Sequence, residues 1–169
     1  MKQLLPILFF IFSVFIGFSQ NTIPEFLEKY NTNTIPYIYP KDLQNNSNHV
    51  FLDTRKKQEY NTSHLKNAIW AGYKTFHIST ITKTLKDKST PIIVYCSIGV
   101  RSEDIGEKLK KAGYTNVKNL YGGIFDWKNQ NRPIYNHKGL KTDSIHAFSK
   151  QWGKLLTNGI KVYNSKIEQ

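Results

Sequence analysis

One residue of this chain is suited to nucleophilic chemistry both by its type and by its setting. Cys96, the sole cysteine, follows Pro91-Ile-Ile-Val-Tyr95 and precedes Ser97-Ile-Gly-Val-Arg101. A thiol reacts as its thiolate, which forms where positive charge or converging N–H donors stabilise it. Ile92 to Tyr95 is a short, β-rich apolar run, the pattern of a strand covered on both faces. Ile105, Leu109 and Ala112 share one face of a following helix, and Gly113 stands where that helix should stop. A loop closing onto a helix N-terminus aims unpaired backbone N–H groups inward, a ready site for an anion. Ser97, Ile98, Gly99, Val100 and Arg101 are therefore predicted to cradle an anionic Cys96 sulfur.

Magnitudes constrain how such a cradle works. Lowering a cysteine pKa by about two units takes about 2.7 kcal/mol of differential stabilisation. One helix terminus supplies about 0.3–1 kcal/mol, so the loop amides have to supply most of the remainder. Arg101 either adds its fixed charge or braces the loop. The competing reading of a lone cysteine is an inert, buried small hydrophobe. A glycine and an arginine in the loop weigh against that here.

The Cys-x4-Arg loop between a strand and a helix resembles the active-site loop of rhodanese-domain sulfurtransferases. Leu52-Asp53-Thr54-Arg55, Glu59-Tyr60 and Ser63-His64-Leu65-Lys66-Asn67-Ala68-Ile69 are similar to a second family signature, and Tyr121-Gly122-Gly123-Ile124 with Trp127 to a third. The resemblance spans about residues 36–135. It implies an α/β rhodanese-like domain with a central parallel sheet of about five strands and helices on both faces. It also implies ping-pong sulfur transfer. Cys96 would take a sulfane sulfur from a small anionic donor such as thiosulfate, hold it as a persulfide, and pass it to a thiol or other nucleophilic acceptor. No metal or organic cofactor is called for, and the five histidines show no ligand spacing.

The Asp53–Arg55 pair is placed by the same resemblance near the cysteine in a supporting role. The alternative is an ion-pair network of Asp53, Arg55 and Glu59 that holds the following turn. His64 reads as a packed, hydrogen-bonded histidine. Many thiosulfate-using relatives carry a basic residue where this chain has Ser97, which leaves the donor open. Two other functions compete. Phosphatases and arsenate reductases of this fold use a loop one residue longer, and Ser102 stands where their arginine would be. A non-catalytic module that binds a protein partner is the other.

The remaining elements must position this loop. Val50 to Asp53 reads as a strand, Ile78 to Lys86 as a helix, Val117 to Leu120 as a strand, and Ile124 to Lys128 as a short helix. The Gly122-Gly123 pair suits a backbone conformation closed to other residues beside the active loop. Residues 20–35 are a lead-in with a short amphipathic helix after Pro24, followed by an edge strand between Ile35 and Tyr39 and a turn over 45–48. Residues 136–169 are expected to form a helical extension capped by Asp143 or Ser144, with Ile145, Phe148, Trp152 and Leu155 on one face. That face would pack on the domain or dock a protein partner or membrane.

Residues 1–19 read as a signal peptide: Lys2, the apolar run Leu4 to Phe18, and small residues Gly17 and Ser19 before the expected cleavage site. The run is short for a permanent anchor, so an exported protein, periplasmic or secreted, is expected, with a retained single anchor as the competing reading. A formal net charge of +12 with lysines spread along the chain suggests a field that draws in anionic substrates. No nucleic-acid motif accompanies it.

Overall fold

The computed structural model describes residues 22–43 and 48–163. The leader expected over 1–19, and positions 45–47 of the expected turn, lie outside the described residues. Five parallel strands make the central sheet: β1 (Tyr37–Ile38), β2 (Val50–Asp53), β3 (Ile69–Trp70), β4 (Ile92–Tyr95) and β5 (Val117–Leu120), in the order β1-β5-β4-β2-β3. Strand β4, apolar at every position, takes the middle and is buried throughout. Its alternation assigns each residue to a face. Ile93 and Tyr95 join Leu65, Leu120, Ile124 and Phe125 on one side. Ile92 and Val94 join Leu52, Ile81, Ile105 and Leu109 on the other.

Helices close both faces. They are α1 (Ile23–Tyr30), α2 (Lys57–Thr62), α3 (Ile78–Thr84), α4 (Val100–Lys111) and α5 (Gly123–Asn129). Helix α1 starts at Thr22, which exchanges hydrogen bonds with Glu25 in a capping box. The lead-in then fastens to α4, where the buried Glu103 accepts the Thr32 and Thr34 amides at 3.0 and 2.9 Å. Helix α4 ends as expected, with Gly113 in the left-handed region at φ 92°.

Register decides where the chemistry can lie. Asp53 pairs with Tyr95, so β2 and β4 end side by side and Cys96 leaves the sheet at its carboxyl edge. The first turn of α5 grips this loop from beneath. Its Ile124 and Phe125 amides donate to the Cys96 and Ser97 carbonyls, both at 3.0 Å. Such proximity requires glycine at 123. A Cβ there would meet the Cys96 carbonyl oxygen and lie 2.7 Å from the Ser97 carbonyl carbon, at a φ of 54°.

The carboxyl-terminal segment corrects the sequence reading. A helical extension is expected there, but the chain forms a hairpin, a parallel strand pair and one helical turn. Strands β6 (Ile134–Tyr135) and β7 (Lys141–Thr142) pair antiparallel, and β8 (Ser144–His146) pairs in parallel with β9 (Ile160–Val162). Helix α6 covers only Lys150–Gly153, capped by Ser149 rather than by Asp143 or Ser144. Asp143 forms an ion pair with Lys128 of α5 instead. Phe148 adopts a φ of 63°, which breaks any helix between Ile145 and Trp152. Ile145, Ala147, Leu155 and Leu156 still go inside, sharing the cluster that holds Leu120 and Phe125. No helix among the described residues is long and apolar enough to cross a membrane.

Two substitutions test this packing by urea unfolding. Leu156→Ala should lower stability by about 2–5 kcal/mol, since it empties a fully buried site. A loss below about 1 kcal/mol would mean the segment is peripheral to the core. Gly123→Ala should cost about 2–4 kcal/mol, combining left-handed strain with overpacking against backbone. A near-neutral Gly123→Ala protein would contradict the close approach.

Candidate active site

Cys96 is the first residue beyond β4, and its side chain is almost entirely buried, at 1% exposure. Burial alone would push a thiol pKa up, because it penalises the anion. The Cys96 pKa is nonetheless lowered. Burial is the largest single influence, and it is outweighed by the Arg101 charge and by the Gly99, Ser102 and Ile98 amides together. The Gly99 N–H donates to Sγ at 3.1 Å. Of the five residues predicted as the cradle, the Ile98 and Gly99 amides and the Arg101 charge act on the sulfur, joined by the Ser102 amide, which was not among them.

The loop keeps that shape because both of its ends are held. Gly99 has a φ of 108°, and its carbonyl accepts Nδ2 of Asn31 at 3.0 Å and Nδ2 of Asn119 at 2.8 Å. In a trans peptide the carbonyl and the next N–H point in opposite directions. Anchoring the Gly99 carbonyl thus turns the Val100 amide away from the two asparagines. Asn119 is itself oriented by Ser102, whose Oγ donates to Oδ1 at 2.8 Å.

Arg101 is fixed by a carboxylate. Its Nη1 and Nη2 donate to the two Glu59 oxygens at 3.1 and 3.0 Å, and Nη2 also reaches the Ser97 hydroxyl at 3.1 Å. Ser97 in turn donates to Glu59 at 3.3 Å. Glu59 is fully buried. Burial raises its pKa, but Arg101, Arg55 and the Lys56 amide overcome this and hold the carboxyl below its ordinary value. Arg101 thus both braces the loop and supplies charge to the sulfur.

The Asp53–Arg55 pair lies one layer back. Both residues are fully buried, and Arg55 Nε and Nη2 donate to the Asp53 carboxylate at 3.0 and 2.6 Å. Nη2 also donates to the Ser63 carbonyl at 2.5 Å, closing the turn around α2. Burial opposes the Arg55 charge, yet Asp53 raises its pKa on balance. This is the structural ion pair that was the alternative for these residues. Glu59, however, turns away from it to Arg101. His64 stacks on Tyr60 with ring centroids 4.1 Å apart, and its Nδ1 lies 3.0 Å from the Tyr60 carbonyl. It is a packed histidine, as expected.

The structure adds residues that sequence reasoning did not place here. Glu59 lies 42 positions from Arg101, and no local spacing links them. Asn31 belongs to a lead-in with no chemical signature of its own. Phe148 and Trp152 were expected on one face of a helix. They instead stand over the loop, lining with Ile98, Val100 and Arg101 a cavity of about 160 Å³ that opens onto Cys96. Among the described residues, no group of three or more His, Cys, Asp or Glu side chains could hold a metal ion.

Comparison with known proteins agrees with this geometry. The chain is 35% identical over 98 residues to an adenylyltransferase and sulfurtransferase UBA4 of Meyerozyma guilliermondii, covering 53% of this chain and 23% of that protein. It is 36% identical over 83 residues to a tRNA uridine(34) hydroxylase of Onion yellows phytoplasma, covering 46% of this chain and 26% of that one. It therefore spans about a quarter of the length of these curated relatives. A thiosulfate sulfurtransferase structure from Pseudomonas aeruginosa shares the fold, with a TM-score of 0.56 at 21% identity over 72% of this chain and 23% of that one. The family model for the rhodanese-like domain matches residues 39–130, more than half of the chain. With its parallel sheet, its Cys96 loop and this match, the chain belongs to the rhodanese-like domain family.

Proposed function

We propose that the protein is a sulfurtransferase that carries a sulfane sulfur as a persulfide on Cys96. The observation that carries this reading is the Cys96 sulfur facing the Gly99 amide at 3.1 Å with the Arg101 charge beside it. A group that keeps a thiolate anionic also suits the anion that follows it. The charge moves outward by only one sulfur atom when Cys96–S⁻ becomes Cys96–S–S⁻.

The steps need only this chain's own residues and two substrates. The Cys96 thiolate attacks the terminal sulfur of the donor, and a new S–S bond forms as the donor's own bond to that sulfur breaks. The donor leaves with the bonding electron pair; from thiosulfate it would leave as sulfite. The loop amides and Arg101 hold the persulfide anion until a nucleophilic acceptor attacks the outer sulfur and releases Cys96 as thiolate. Neither half-reaction requires an oxidant. Arg101 is a fixed charge, not a proton donor, because an arginine in a carboxylate pair stays protonated.

Sulfur-transfer relatives support the class of reaction, and thiosulfate is a reasonable first donor on the strength of the Pseudomonas aeruginosa fold relative's name. Intact-mass spectrometry after incubation with thiosulfate should show the gain of one sulfur atom, lost on adding cyanide. Cys96→Ser should show neither the gain nor any thiocyanate above background. A Cys96→Ser protein that still takes up sulfur, or a wild type that takes up none from any sulfane donor, would contradict the proposal.

A further inference from the structure

The cavity above Cys96 is lined mainly by apolar side chains. Its polar members are Ser97 and Arg101, beside Cys96 at its floor. Phe148, Trp152, Ile98 and Val100 supply the rest of the lining, and all four are apolar. Both rings come from the carboxyl-terminal segment, outside the span matched by the family model. Cys96, itself 1% exposed, lines this cavity.

Both rings are held in place. Trp152 packs on Phe26 of α1, with ring centroids 4.7 Å apart, and its amide is bound by the Ser149 hydroxyl at 3.3 Å. Phe148 sits in the left-handed region at φ 63°, a strained conformation for a bulky residue. Its amide donates to Nδ1 of His146 at 3.1 Å, and its ring lies 5.7 Å from the Arg101 guanidinium. The ring also remains 44% exposed, so burial in the core does not explain the strain. The local turn holds it, with the Ser149 amide donating to the Ala147 carbonyl at 2.7 Å, and it sets the ring over the cavity.

We propose that Phe148 and Trp152 form a subsite for an apolar group on the sulfur donor. The favoured donor is then an organic anion with a terminal sulfane sulfur and a substituent about the size of one ring, not inorganic thiosulfate. The inference rests on the sulfur-transfer reading above and names its substrate class. Volume is consistent: an apolar cavity of about 150 Å³ accepts benzene, and this one is about 160 Å³. Charge is consistent as well, since the sulfur end meets Arg101 and the amides while the substituent meets the rings. A compact, strongly hydrated dianion would instead give up its water against an apolar wall. With a thiosulfonate R–SO₂–S⁻, Cys96–S⁻ forms the new S–S bond to the terminal sulfur. The donor's S–S bond breaks, and R–SO₂⁻ leaves with the electron pair.

The test is the ratio of kcat/KM for benzenethiosulfonate to that for methanethiosulfonate, with cyanide as acceptor and thiosulfate run alongside. Comparing this ratio between proteins cancels the intrinsic reactivity of each donor. Phe148→Gly removes the ring and suits the left-handed backbone, so the segment keeps its course. Trp152→Ala removes the second wall, and Phe148→Leu keeps apolar bulk. Phe148→Gly and Trp152→Ala should each lower the ratio about tenfold, the scale of one apolar group in a pocket, and Phe148→Leu should lower it less. A ratio within about twofold of wild type in both ring-deleted proteins would overturn the subsite while leaving sulfur transfer standing. Absence of Cys96-dependent turnover with all three donors would remove both.

Discussion

A buried thiol is neutral unless something nearby favours its anion, and the whole site depends on meeting that condition. Cys96 lies at the edge of the sheet with almost no exposure, so water contributes little. The stabilisation comes from one guanidinium and a few main-chain amides at short range. Each has to be held. An arginine left free would swing toward solvent, and a glycine loop left free would sample many backbone states. The Glu59 carboxylate holds Arg101, and Asn31 with Asn119 holds the Gly99 carbonyl. The positive charge therefore sits in a nearly neutral, partly buried pair, and the sulfur still feels it.

That requirement organises the fold around it. Strand β4 is apolar on both faces because it must sit in mid-sheet and deliver Cys96 to the carboxyl edge. Beneath the loop, α5 offers two amides to carbonyls of the loop's first two residues, which is possible only because position 123 lacks a side chain. Behind it, the Asp53–Arg55 pair closes the turn that places α2, and α2 presents Glu59. Asp53 and Arg55 thus act on the site at second hand, through this turn and through the Arg55 charge on Glu59.

Much of this is legible in the sequence, for local reasons. Strand β4, the loop and α4 are consecutive, so periodicity and the glycines at 99 and 113 describe them directly. The two glycines at 122 and 123 likewise signal a backbone constraint where they stand. What is not legible is long-range or weakly patterned. Glu59 meets Arg101 only after the sheet has formed, and Asn31 reaches the loop only after the lead-in has docked on Glu103. Strand β3 is two residues long, too short for alternation to register. The carboxyl-terminal segment misled because Ile145, Phe148, Trp152 and Leu155 do fall at helical spacing. Phe148 takes a left-handed conformation, and the apolar residues reach the core by a strand pair and a single turn. Of the four, Ile145 and Leu155 are buried and Phe148 stays exposed, so the helical spacing describes neither the conformation nor a single buried face.

The central claim concerns the protonation state of one sulfur, and the most direct measurement is its titration. Thiolate absorbance near 240 nm, followed against pH, should give Cys96 an apparent pKa below the ordinary thiol range of about 8.5. Arg101→Gln should raise that value by removing the charge. Glu59→Gln should broaden or shift it by loosening the guanidinium. A wild-type Cys96 that titrates above the ordinary thiol value, with Arg101→Gln unchanged from it, would contradict the account.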